Sequence, residues 1–330
     1  MSTTAAAAGL IGAVAPVTRR VRAYFAPVDR EAGTPTVFDA AQMGTFALAA
    51  PPAPWVDLGW CTGFARKSGT KVGTLTTGAP AVVQSQVVTQ VEATVQLEFE
   101  SWGKLQLALA SGSQQMNLLR TAAGAAENGS GGVAAAAVGL VAGAGSTATA
   151  LNVGAEAAAG FSVGALVSVD EDYVAQVGFV GSGASAAYVS SPASVGNDIN
   201  YVRRVSLNVG RVTAIAGGVL TLGEALLAGA PPSGMQVSQV VGFVDREGGN
   251  FFQEWSGLFV MDGEQGDRVL YYYPRLQALQ GSAETVKTLA GSLERVGLAG
   301  AFRALPVVDS NDGETVLCFR SYLPGAMRAV

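Results

Sequence analysis

From Val91 to Glu100 the side chains alternate without interruption. Val91, Ala93, Val95, Leu97 and Phe99 fall on one side, and Glu92, Thr94, Gln96, Glu98 and Glu100 on the other. A period of two is that of a β-strand with one buried and one wet face, and it does not fit a helix. The wet side carries three carboxylates and no base. A lone strand of this kind repels itself, so its charge has meaning only in the surface that its neighbours complete.

The chain has 330 residues, room for about two domains of roughly 150 each. Only 14% of them are charged, against about 25% in average usage. Such a surface is expected to be covered in large part by copies of itself. The net charge is −5 and no Lys/Arg block occurs, which argues against tight binding to phosphate backbones.

Histidine is absent. The commonest general base and the commonest metal ligand are thereby missing, and a Ser/His/Asp arrangement cannot be built. A Ser-Lys pair would need Lys67, Lys71, Lys104 or Lys287, and no spacing singles one out. The Gly-rich runs at 129–132 and 143–145 lack the GxxxxGK[ST] pattern of a phosphate loop. Asp170-Glu171-Asp172 and the set Asp309, Asp312, Glu314 read as solvated turns rather than cation sites. Tyr271, Tyr272 and Tyr273 point alternately to opposite faces of a strand, so they do not form one stacking platform. The expectation is a protein that is not an enzyme, with no catalytic, cofactor-binding or metal-ligating residue. Cys61 and Cys318, far apart in apolar stretches, are expected as free buried thiols rather than a disulfide.

Met1 to Pro16 is Ala-rich and has no basic n-region, unlike a signal peptide. The apolar run 133–145 is too short and too rich in Ala and Gly to span ~30 Å of hydrocarbon. A soluble intracellular protein with no membrane partner is the expectation.

Composition divides the chain into five parts. Residues 1–54 form an arm and connector, with a first strand over 17–28 and a break at Pro51, Pro52 and Pro54. Residues 55–121 hold strands over 59–67, 71–76 and 91–100, then a short helix where Trp102, Leu105, Ala108 and Leu109 shift to helical spacing. Residues 122–160, nearly all Ala, Gly, Val, Ser and Thr, read as a linker. Residues 161–245 read as an inserted small β-barrel, in which Gly217-Gly218 joins two alternating runs as a hairpin. Residues 246–330 return to long strands, with a helix over 285–295 and a turn at 309–313. The predicted fold is mainly β: one domain built from both ends of the chain, and a second β module inserted between them.

The end segments resemble the tail tube (major tail) proteins of tailed bacteriophages. The resemblance rests on Trp55-Val-Asp-Leu-Gly59, the strand-to-helix stretch Gln90 to Leu109, Val269-Leu-Tyr-Tyr-Tyr-Pro-Arg275, Phe302-Arg-Ala-Leu-Pro306 and Asp312-Gly-Glu-Thr-Val-Leu-Cys-Phe-Arg320. It covers about half the chain, in style and order rather than through a diagnostic motif, and the inserted module departs from the simplest members. What it implies is a tail-tube-like β-sandwich or barrel with a flanking helix, six copies to a ring, and rings stacked into a tube. Double-stranded DNA passes transiently through such a tube, which is assembled in the host cytoplasm and resides in the virion tail. Sheath, terminator, baseplate or tip proteins are the other implied partners. Glu92, Thr94, Gln96, Glu98 and Glu100 would line the lumen and repel phosphates. Arg19, Arg20 and Arg22 would contact a neighbouring ring. The alternative is a receptor-binding or other virion decoration protein that uses the 161–245 module.

Overall fold

A computed structural model describes residues 20–28, 33–124, 133, 135–143, 145–170, 208–226, 229–247, 254–263, 266–279, 284–288 and 294–325. Its first elements are strand β1 (Val21–Pro27), a one-turn helix α1 (Ala40–Met43), strands β2 (Val56–Thr77) and β3 (Val82–Phe99), and helix α2 (Lys104–Ser111). Next come β4 (Gln114–Leu119), β5 (Ala137–Gly139), β6 (Ala150–Asn152), α3 (Ala155–Ala158), β7 (Leu166–Asp170), β8 (Val209–Ala216), β9 (Val219–Leu222) and β10 (Gln236–Arg246). The last are β11 (Glu254–Asp262), β12 (Arg268–Ala278), β13 (Glu284–Thr288), β14 (Glu294–Ala304), β15 (Val307–Val308), β16 (Thr315–Val316) and β17 (Phe319–Leu323). The protein is mainly β, and its strand pairings are antiparallel.

Two compact units emerge. One combines residues 1–28, 35–112 and 252–330, and the other residues 29–34 and 113–251. In the first, eight strands run in the order β13-β14-β3-β2-β1-β11-β12-β17, and β14 also pairs with β12. That extra pairing closes six of them, β14-β3-β2-β1-β11-β12, on themselves. Closure joins β12 to β14 over Leu276–Ala278 and Phe302–Ala304, while β13 and β17 stay as the flanking strands.

The interior is aromatic because the alternation of each strand sends its large side chains inward. Phe25, Phe99, Trp255, Phe259, Phe302 and Tyr273 are all buried. Phe25 sits at the centre, its ring 5.2 Å from Phe302, 6.1 Å from Phe259 and 6.2 Å from Trp255. Cys61 lies among these buried residues as a free thiol, pushed up to about 12 by burial, with Glu100 and Asp57 adding to the shift. Helix α2 buries Leu105, Ala108 and Leu109, packs against β14 and β12, and stops at Gly112, whose φ of 66° is the left-handed cap.

The outer face of β1, β11 and β12 is covered by the stretch 35–50, which has little regular structure of its own. Its carbonyls need partners, and side chains from the strands supply them. The Tyr24 hydroxyl donates to the Leu48 carbonyl (2.9 Å) and the Tyr272 hydroxyl to Thr36 (2.8 Å). Arg268 donates to the carbonyls of Gly44 (2.7 Å) and Phe46 (2.9 Å) while also gripping Asp262. Phe38 and Phe46 then fill an outer cluster with Tyr24, Trp55, Leu258, Leu270 and Tyr272.

The second unit holds a seven-stranded sheet, ordered β4-β10-β7-β8-β9-β6 with β5 also on β10. Its core is aliphatic: Leu140, Leu151, Val153, Val167, Val169, Val212, Leu220, Leu222 and Val237. The β8–β9 hairpin turns at Gly217-Gly218 with φ of 56° and 85°, the positive pair that a two-residue primed turn requires.

Two sequence expectations differ from this. The stretch 122–160 is not a linker throughout: β5, β6 and α3 lie in it and deliver Leu140, Leu151, Val153 and Ala158 to the second core. Of the expected helix over 285–295, residues 285–288 and 294–295 instead lie in β13 and β14, whose ladder with each other outweighs local helical preference, and 289–293 lie outside the described residues.

Candidate functional site

Strand β3 presents its two faces as alternation dictates. Ala93, Val95, Leu97 and Phe99 are buried inside the closed sheet. Glu92 and Gln96 are exposed on the outside, with Thr94, Glu98 and Glu100 partly covered. Val91 breaks the pattern at 48% exposure, since at that point β3 has already left the body of the unit.

The outer face is negative along β3 but mixed across the sheet. Residues directly opposite in a ladder share a face. β2 places Lys67 opposite Thr94 and Lys71 opposite Gln90, and β14 places the exposed Arg303 opposite Thr94 from the other side. Gln90 donates to Glu92, and Arg20 lies 3.7 Å from Glu100. The five residues read as a lining therefore do share one face, but bases from flanking strands stand among the carboxylates.

Of the three arginines, Arg22 is engaged within the chain. Its guanidinium binds Asp57 through both nitrogens and lies 5.1 Å from the centre of the Trp60 ring. That hydrogen bond raises its pKa further. Arg20, with a half-exposed side chain, shares the same ring at 5.9 Å. Arg19 lies outside the described residues, as do Glu171 and Asp172.

Asp170 is buried at the end of β7. The 309–314 set forms a tight turn in which Asp309 accepts from the Asn311 amide (3.0 Å) and Asp312 from the Glu314 amide (2.9 Å). Among the described residues no three His, Cys, Asp or Glu side chains gather as a metal site. Tyr272 packs outward and Tyr273 inward, with Tyr271 on the inward side. Among the described residues no helix is long and apolar enough to cross a membrane.

The most unusual surface was not read from the sequence as a unit. β2 and β3 continue past the body as a two-stranded ribbon, paired from Lys67–Thr94 out to Thr77–Val82. At about 3.3 Å per residue it reaches roughly 35 Å. From Val72 to Val91 the ribbon carries no charged residue. Its exposed side chains include Val72 (47%), Leu75 (59%), Val82 (61%), Val83 (52%), Val87 (62%) and Val88 (57%). Two extra residues on β3, Thr89 and Gln84, shift the register, so adjacent valines keep appearing on both faces. Leu75, Val82 and Val87 share the face of Lys67, Lys71 and Glu92, while Val72, Val83, Val88 and Val91 share the other. The sequence signal was two β runs around Gly78-Ala79-Pro80, with no charge for 20 residues.

A two-stranded ribbon is marginal in water by itself. This one leaves large apolar side chains exposed on both of its faces, a feature that marks interaction surfaces. No protein-family model matches the chain, and no curated protein matches it at a significant level.

Proposed function

We propose that this chain is a structural, self-assembling protein, and that its assembly is the ring-and-stack tube of a bacteriophage tail. The observation that carries the self-assembly reading is the β2–β3 ribbon, uncharged over 20 residues and apolar on both faces. A ribbon of that kind is costly to leave in water, and a second copy of the chain is the partner always at hand. The low charged fraction of 14% points the same way. The tube geometry itself rests on the resemblance of the end segments. In such a tube the wall would carry Glu92, Glu98 and Glu100 interleaved with Lys67, Lys71 and Arg303, a near-balanced surface. Balanced charge gives phosphate little to bind, since affinity grows with each phosphate neutralised.

Negative-stain electron microscopy of the purified chain at rising concentration tests the reading. Hollow tubes or stacked rings are expected, and the variant L75K/V87K should remain unassembled at concentrations up to tenfold above the wild-type onset. A wild-type chain that stays monomeric at every concentration, with other tail components added, refutes it.

A further inference from the structure

A second apolar surface lies on the same unit. A groove of about 550 Å³ runs between the 35–41 stretch, the outer face of β12 and the β15–β16 hairpin. Leu270 and Tyr272 line it, and Val37 (69%), Val308 (64%) and Phe319 (38%) stand exposed at its lip. Its charged side chains are Asp39 and Asp309. Both already accept backbone amides: Asp39 those of Ala41 (2.8 Å) and Gln42 (3.4 Å) at the start of α1, and Asp309 that of Asn311 (3.0 Å). A pocket for a small polar ligand presents a few converging free polar groups. Here the carboxylates are already turned to the backbone, and what remains is an apolar trough with a negative rim.

We infer that this groove receives the ribbon of a second copy, through the face that bears Leu75, Val82 and Val87. The inference rests on the self-assembly reading and specifies its contact. Three observations support it. A copy cannot fill its own groove, because β12 lies opposite β2 in the closed six-strand ring and the ribbon runs outward from the body. The charges are complementary: the ribbon between 67 and 92 carries Lys67, Lys71 and Glu92, a net +1, and Lys71 shares the face of the apolar trio, whereas the groove carries two carboxylates. Both surfaces are exposed and apolar: Leu75, Val82 and Val87 on the ribbon, and Val37, Val308 and Phe319 at the lip of the groove. Each copy then donates one ribbon and accepts one. Such a head-to-tail contact closes into rings or runs on as a filament.

Complementation between two blocked variants tests the contact. L75K/V87K disables the ribbon, and V37K/V308K disables the groove lip; all four positions are exposed, and circular dichroism checks that both variants remain folded. Each variant alone is expected to need at least tenfold higher concentration than wild type to assemble. Mixed in equal amounts, they should form a one-to-one complex in sedimentation velocity, because one intact ribbon meets one intact groove. As a second arm, L75C/V308C under mild oxidation should give a ladder of disulfide-linked oligomers that neither single substitution gives.

Assembly of the groove variant at the wild-type concentration, with the ribbon variant still blocked, overturns this contact and leaves the proposed function standing. Absence of both the mixed complex and the ladder also overturns it. A wild-type chain that never self-associates removes both readings.

Discussion

Replacing Arg268 by methionine should loosen the 35–50 stretch while leaving the closed sheet intact. The guanidinium, with a side chain only 15% exposed, donates to the carbonyls of Gly44 and Phe46 and to both oxygens of Asp262. It also lies 5.4 Å from the Phe46 ring centre. Methionine keeps most of the apolar stem and removes every donor. Hydrogen bonds to a charged group contribute about 1.5–3 kcal/mol each, and the half-exposed pair with Asp262 about 1 kcal/mol or less. The freed carbonyls recover water when the stretch lifts, so the net loss to local opening is about 3 kcal/mol. That corresponds to roughly 150-fold in the opening equilibrium. Hydrogen exchange reads it directly, since the amides of Gly44 and Phe46 are closed onto Ala40 and Met43 at 3.0 and 3.2 Å. These amides should exchange about 100-fold faster in R268M, with β3 and β14 amides unchanged. R268K, which keeps charge but not the fork, should fall between. Acceleration below about threefold in R268M would show that the aromatic contacts alone hold the stretch and that the clamp reasoning fails.

Lys104, the first residue of α2, is brought down to about 7 by desolvation. Its folded pKa lies below its unfolded value, so between pH 7 and about 10.4 the unfolded chain binds more protons and stability rises with pH. Wild-type urea midpoints should climb across that window, whereas K104M should be flatter and more stable at pH 7 by on the order of 2 kcal/mol. Equal slopes for the two proteins would contradict the assignment. Gly257 faces Leu276 so closely that an added Cβ would come 2.4 Å from its Cδ1 and 3.6 Å from Phe25. G257A should cost about 1–3 kcal/mol through overpacking, read as a lower melting temperature; an unchanged melting temperature would mean that the interior repacks freely.

How far the sequence reaches depends on whether the deciding interaction is local. The alternation of 91–100, the shift to helical spacing before Leu105 and the Gly217-Gly218 turn each sit within a few residues, and each is found in place. The helix expected from Thr285 fails at its described residues because Thr285 to Thr288 form a strand through the ladder with β14, which arrives from outside the local sequence window. The Ala/Gly stretch hid β5 and β6, three-residue strands too short to show a period, although Leu140, Leu151 and Val153 are among its few large apolar side chains. The ribbon escaped for another reason. The shifts at Thr89 and Gln84 break the period of two, so a two-faced apolar run does not register as an alternating strand. The mixed charge around Glu92 and Glu98 was also out of reach, since Lys67 and Arg303 arrive from strands distant in sequence.

The two-faced ribbon bears on how association would begin. A partner that covers Leu75, Val82 and Val87 still leaves Val72, Val83, Val88 and Val91 wet. On the proposed assembly a dimer would therefore be only half satisfied, and the second face would be sheltered when a further neighbour arrived. Early species are penalised relative to later ones, the condition for growth limited by a nucleus. Such a protein, held below a threshold concentration, stays dispersed; pushed above it, it shows a lag and then rapid growth, which preformed fragments added as seeds would abolish.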